Sequence, residues 1–326
     1  MRRIAACLFA VLTTLAAQPA LAQEAYPNRA ITLVTPYPPG GGSDFLTRLL
    51  AEALRTRLKE TVLVQNISGA GGAVGSMQAA KAKPDGYTLL VNHIGMSTIP
   101  SLYKKFNFDP LAAYEFIGLF AEAPMVMLAR KDFAPKTFAE LVAYAKANRE
   151  KLTMASSGMG SATHLCGMLF QEALGMPITM VQYKGAGPAV IDVRSGQVDL
   201  ICDLPTTTSS LIRSGDLRAY VLTAPKRMAS LPDVPTAAEV GMPSLNIGVW
   251  YGLYAPKGTP QPIIDRLANA LNKGLNEDLA RKRLLELGAE LPEPDRRGPA
   301  PLGALVKSEI ARLTPMIQAA SAKADH

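Results

Sequence analysis

Apolar residues recur along the chain in two rhythms. Short compact runs, rich in aliphatic and β-branched residues, alternate with longer stretches in which apolar positions return every three or four residues. The compact runs predict strands over 31–35, 62–65, 87–91, 116–120, 125–129, 152–155, 179–182, 198–202, 218–223 and 249–254. Several are apolar throughout, as strands covered on both faces should be. Between them, Leu46, Leu49, Leu50, Ala53, Leu54 and Leu58 form a helical stripe. Leu165, Met168, Leu169 and Leu174 form another, with Gly175 as its stop. Pro188 suits the first turn of a helix that ends before Gly196, because its missing N–H is not needed there. From 260 to about 324 the pattern is of long helices broken by Pro292, Pro294, Gly298 and Pro299.

Alternating strands and helices predict an α/β fold with mainly parallel sheets. The stretches 116–130 and 246–256 are nearly continuous strand. They suggest that the chain crosses to a second domain near 122 and returns between 215 and 250. The expected division is 23–122 plus 245–326 for one domain and 123–244 for the other. Two crossovers form a hinge between two lobes able to close on a ligand.

Two turns of similar chemistry then stand out. Pro36-Tyr37-Pro38-Pro39-Gly40-Gly41-Gly42-Ser43-Asp44 follows the first strand, and Ser156-Ser157-Gly158-Met159-Gly160-Ser161-Ala162-Thr163-His164 follows the sixth. Each passes through glycine to a serine placed to cap the next helix. A helix N-terminus presents unpaired N–H groups and a positive dipole end, which suits an anion. Two such ends across a cleft would grip a molecule with two carboxylates. Asp44 reads first as a first-turn carboxylate that stabilises its helix, and second as a ligand contact. His164 lacks the nucleophile and orienting acid of a catalytic motif, so it reads as structural or ligand-orienting. Asp203 ends a strand where ligands of open α/β sheets sit, and would bind an ammonium group or cap nearby amides.

Composition narrows the field. Arg2 and Arg3, the apolar stretch 4–17 and Ala20-Leu21-Ala22 form a secretion signal with cleavage expected after Ala22. Cys7 precedes completion of that stretch, so lipidation is not expected. No later run reaches the ~20 apolar residues of a membrane span, so the mature chain is expected in the periplasm. Losing Arg2 and Arg3 takes the formal charge from +7 to +5. The basic residues are scattered without interleaved aromatics, which argues against nucleic acid. Cys166 and Cys202 remain; spacing cannot decide whether they pair, and buried free thiols are the favoured reading. His93, His164 and His326 show no metal-ligand spacing. The segment Gly69 to Gly75 reads G-x-G-x-x-x-G with no acid at the following strand end, so no dinucleotide site is expected. Walker and nucleophile-elbow motifs are absent. No cofactor, metal or catalytic residue is expected. A secreted hydrolase using Ser161 and His164 is the rival from another class.

The residues resemble those of the Bug-type solute receptors of tripartite tricarboxylate transporters. The matching strings are ITLVTPYPPGGGSD at 31–44, GAGG at 69–72, KPDGYTLL at 83–90, GMGSATHL at 158–165, QYKGAGPA at 182–189, LPDVPT at 231–236 and WYGLYAPKGTP at 250–260. The resemblance implies a two-lobed periplasmic binding protein fold, type II-like, with each lobe a mainly parallel sheet flanked by helices. It implies a monomer that carries a small carboxylate to the membrane subunits of such a transporter; a receptor presenting ligand to a signalling kinase shares the same chemistry. Carried over, the resemblance points to Tyr37, Gly40, Gly41 and Ser43 from one lobe and Ser157, Gly160, Ser161 and Thr163 from the other; Pro39, Asp44, Gly158 and His164, in the same two turns, complete the expected ligand residues. Asn92, His93 and Asp203 join them at the rim. The chain departs from the family around His93 to Ser97, at Cys166 and in having Trp250 as its single tryptophan. Met96 and Met159 offer soft apolar surface for a longer or aromatic dicarboxylate, such as adipate or terephthalate, or are ordinary core residues.

Overall fold

The computed structural model describes residues 26–324. The proposed signal segment lies outside them. Among the described residues, ten strands and their helices build two lobes. The first sheet holds β1 (Ile31–Thr35), β2 (Val62–Asn66), β3 (Thr88–His93) and β4 (Tyr114–Pro124). The second holds β5 (Val126–Arg130), β6 (Thr153–Ser156), β7 (Thr179–Gln182), β8 (Leu200–Asp203) and β9 (Leu217–Leu222); β10 (Gly248–Pro256) returns to the first. The longer helices are α1 (Gly42–Leu58), α2 (Ala73–Ala80), α3 (Phe138–Ala147), α4 (Ala162–Leu174), α5 (Ala186–Ser195), α6 (Pro205–Arg213), α7 (Gln261–Leu275), α8 (Asp278–Glu286) and α9 (Pro299–Ala324).

Strand order is β2-β1-β3-β10-β4 in one sheet and β7-β6-β8-β5-β9 in the other. The two orders superimpose if β10 plays in lobe 1 the part that β5 plays in lobe 2. Four strands of each sheet run the same way, and the fifth is antiparallel to both neighbours. That fifth strand is in each case the first after a crossover. It enters at the cleft, beside the C-terminal end of its neighbour: Val126 pairs with Asp203, and Tyr251 with His93. It can therefore only run away from the cleft, while the others run towards it.

Burial follows position in the sheet. Every residue of β10 after Gly248 is buried, whereas the edge strands β2 and β7 remain partly exposed. The chain changes sheet between Pro124 and Val126, and again between Leu222 and Gly248. Buried Thr223 ties the two passages together. Its N–H donates to Met125 O (2.9 Å) and its hydroxyl to Ile247 O (2.7 Å), while Met125 N–H donates to Thr223 Oγ1 (2.9 Å).

Cys166 and Cys202 form a disulfide, with Cα atoms 6.1 Å apart. This corrects the free-thiol reading. Cys166 lies on the face of α4 that packs over the second sheet, and Cys202 lies on β8 of that sheet, so topology joins residues that sequence spacing could not.

Candidate functional site

The turn after β1 is held by side chains from its own neighbourhood. Gly40 takes φ +79°, a conformation that favours glycine. Its N–H donates to Asp44 Oδ2 (3.0 Å), which also accepts from Arg48 Nε (3.1 Å). Asn66 Nδ2 donates both to Asp44 Oδ1 (3.0 Å) and to Tyr37 O (3.0 Å). Burial pushes the Asp44 carboxyl up, but these hydrogen bonds together hold it below its ordinary range. Asp44 thus braces the turn. Ser43 does not cap α1, because Gly41 is extended (φ −90°, ψ 169°) and is itself the N-cap, so the helix starts two residues earlier than a Ser43 cap would place it. Ser43 Oγ lies instead 3.4 Å from Tyr251 Oη. The first N–H groups of α1 are left without a side-chain cap.

The turn after β6 is knit by hydroxyls. Ser161 is the N-cap of α4, its Oγ accepting from His164 N–H at 3.3 Å. Thr163 Oγ1 accepts from Ser157 N–H (2.6 Å) and lies 2.8 Å from both Ser157 Oγ and Ser161 Oγ. Gly158 and Gly160 take φ +124° and +83°. His164 Nδ1 faces Gly160 N–H at 3.3 Å, and burial pushes the imidazole down to about 4. The imidazole thus supports the turn, and the Ser161 hydroxyl meets the backbone N–H of His164.

The ends of β3 and β8 complete the wall. β3 adjoins β1 and β8 adjoins β6, in each sheet at the point where strand order reverses, the usual ligand crevice of an open α/β sheet. His93 stacks on Tyr37 with ring centroids 4.4 Å apart, and its Nδ1 accepts from Gly95 N–H (2.9 Å). Burial pushes it down to about 3, so the ring is neutral. Asp203 is buried, accepts from Thr207 Oγ1 (2.7 Å), and is pushed up to about 6 by burial against that bond and the Leu204 N–H.

Between the lobes lies a cavity of about 90 Å³. Of the expected residues, Tyr37, Pro39, Gly41, Ser43, His93, Ser157, Thr163 and Asp203 line it. The others stand behind that wall. Gly40 and Asp44 shape the first turn, Gly158, Gly160, Ser161 and His164 shape the second, and Asn92 donates to Ser76 Oγ (2.9 Å). Met96 is buried in the core and Met159 is half exposed, and neither borders the cavity; Met125, at the crossover, does.

Sequence reasoning missed a third wall, from Lys184 to Pro188 at the start of α5. Its signal was available, since Gly185-Ala186-Gly187 also follows a strand and opens a helix. The N-terminal residues of α1, α4 and α5 therefore border one space, with Leu204, which precedes α6, beside them. Helix N-termini with their positive dipole ends around one space suit an anion.

The lobes also touch directly. Tyr103 Oη donates to Met159 O (3.0 Å), and Thr98 Oγ1 lies 3.1 Å from Gly160 O. A Cβ on Gly185 would sit 2.5 Å from Pro38 Cγ. Glycine is what allows the turns to meet.

Residues 46–321 match the family model described as tripartite tricarboxylate transporter family receptor. Three solved structures share the fold closely. The periplasmic binding protein BugD is 42% identical, with TM-score 0.86 over 91% of this chain and 99% of that one. MatC (Rpa3494) of Rhodopseudomonas palustris with bound malate is 36% identical, with TM-score 0.85 over 90% and 100%. Rpa4515 of R. palustris with adipate is 31% identical, with TM-score 0.85 over 91% and 98%. The chain belongs to the tripartite tricarboxylate transporter receptor family and has its two-lobed periplasmic binding protein fold.

Proposed function

We propose that the chain is a periplasmic receptor that captures a small dicarboxylate and hands it to the membrane subunits of a tripartite tricarboxylate-type transporter. The ligand is an aliphatic C4–C6 diacid or an aromatic one such as terephthalate. The observation that carries this reading is the convergence of helix N-termini from both lobes on one cavity. One carboxylate meets the α1 turn at Gly41 and Ser43, and the other meets Ser157, Thr163 and the start of α5. Excluding water strengthens each charge-assisted hydrogen bond. Bound malate in one neighbour and adipate with another support the class of ligand. The lobes divide near residue 124 and in the stretch 223–247, and the protein acts as an exported monomer. The hydrolase reading loses support because the Ser161 hydroxyl meets the His164 backbone rather than its imidazole.

Thermal unfolding against a panel of anions tests this. The panel holds succinate, malate, glutarate, adipate, terephthalate, citrate and monocarboxylate controls. Ligand at about a hundred times its Kd adds roughly 2.7 kcal/mol, a shift of several degrees. One dicarboxylate should give that shift and its half-acid should not. A flat panel, on protein refolded free of retained ligand, would overturn the reading.

A further inference from the structure

The cavity is built for an anion, yet one of the two charged side chains on its wall is an acid. Lys184 and Asp203 both border it. Asp203 is buried at the end of β8 (2% exposed), and among the described residues it forms no ion pair. The Thr207 hydroxyl donates to its Oδ2. An ionised Asp203 and a bound dicarboxylate would be like charges sharing one desolvated site, where they cannot all remain ionised.

Two resolutions exist: the ligand brings its own cation, or Asp203 takes up a proton. A buried ammonium needs acceptors for three N–H donors. Around this cavity, His93 Nδ1 already accepts Gly95 N–H, and the Ser157 and Thr163 hydroxyls are engaged with each other. A proton needs one acceptor, which the Asp203 carboxyl itself supplies. We propose that Asp203 takes a proton from solvent when a dicarboxylate binds and, as a neutral acid, donates a hydrogen bond to a ligand carboxylate oxygen. Asp203 then sets the specificity of the site as a donor, and ligand and proton are captured together. This rests on the dicarboxylate reading of the same cavity.

Other titratable groups lie on the elements packed around it. They are Tyr251 on β10, His93 at the end of β3, Tyr37 on the turn after β1, and Asp44 with its partner Arg48 on α1. His164 lies in the first turn of α4, and Lys184 stands at the rim. The segments of β5 and α6 beside Asp203 present Val126, Thr206 and Thr207, which carry no charge. Burial keeps both imidazoles neutral and raises the tyrosines, and Asp44 is held low. Of these acids and imidazoles, Asp203 alone is placed by burial to change charge between about pH 5 and 8.

Isothermal titration of the mature protein with succinate, malate, glutarate, adipate and terephthalate tests this, in buffers of differing ionisation enthalpy at about pH 7.5. The expected result is uptake of about one proton per ligand, with affinity rising about tenfold per pH unit from about 8 to 6 and flattening below. Asp203→Asn should bind with no proton uptake and with the Asp203 part of the pH slope gone. Dicarboxylate binding to the wild type without proton uptake overturns the proposal but leaves the receptor reading intact. So does L-aspartate binding more tightly than succinate without uptake, because the ligand ammonium would then satisfy Asp203. If none of the probes binds at any pH, both readings fall. The buffer series on the wild type decides the matter even if the variant does not fold.

Discussion

Replacing Gly71 with alanine should weaken ligand binding far more than it weakens the fold. Gly71 lies in lobe 1 with φ +58° and ψ 23°. A Cβ there would overlap Met159 O of lobe 2 and lie 3.1 Å from its carbonyl carbon and 3.2 Å from Tyr103 Oη. Two effects separate. Holding alanine in the left-handed region costs about 1–2 kcal/mol whether or not the lobes touch, so it appears in the Tm of ligand-free protein. The overlap with Met159 exists only while the lobes are together. Relieving it means withdrawing a backbone carbonyl, with strain of about 1–3 kcal/mol, and losing the Tyr103–Met159 hydrogen bond, about 0.5–1.5 kcal/mol. Together about 2–4 kcal/mol is set against the closed arrangement, which translates into roughly 30- to 1,000-fold weaker binding. Titration calorimetry with the diacid found in the thermal panel measures this. Tyr103→Phe removes only the hydrogen bond and should cost about tenfold at most. A Gly71→Ala protein that binds within about threefold of wild type would refute the reasoning that ligand capture requires this seam.

Other perturbations probe the site from different sides. Gly41 has an extended backbone that valine adopts, and a Cβ there meets only Pro38 O at 3.8 Å, so Gly41→Val should fold normally yet crowd the cavity and weaken binding roughly tenfold or more; unchanged affinity in the folded variant would remove that turn from the site. Reducing the Cys166–Cys202 bond frees a loop of sequence separation 36, worth about 4 kcal/mol on a chain-entropy account, so Tm should drop in reductant. An unchanged Tm with both thiols shown free by titration would contradict that. Asp44→Ala should cost about 1–3 kcal/mol through its lost partners. Because the folded Asp44 carboxyl is held below its ordinary value, its contribution is complete above about pH 4 and fades as pH falls through the folded value. Acid titration of stability should therefore be shallower in the variant, and an identical acid limb would count against Asp44 as the brace.

Much of this was legible from hydrophobic rhythm. Each strand run proved to be a strand, because most are buried and their apolar side chains leave a continuous mark. The reversed directions of β5 and β10 left no mark, since direction depends on where a strand enters its sheet. Ser161 was rightly read as a cap, whereas Ser43 was wrongly expected to be one, because the difference lies in the extended backbone of Gly41. The Lys184 wall was overlooked although it shares the strand–glycine–helix grammar of the other two turns. The disulfide was out of reach, because 36 residues of separation say nothing about distance until α4 is laid over β8.

The reversed strands also bear on the order in which the two lobes can fold. All five strands of the second sheet come from one uninterrupted stretch, from Val126 to Leu222. The first sheet has β10 inserted between β3 and β4, so β4 has no partner until residue 256 is available. Lobe 1 begins first and must finish last. Until then the facing edges of β3 and β4 stay open, the period in which an emerging chain is most prone to pair with the wrong strand and most in need of a chaperone.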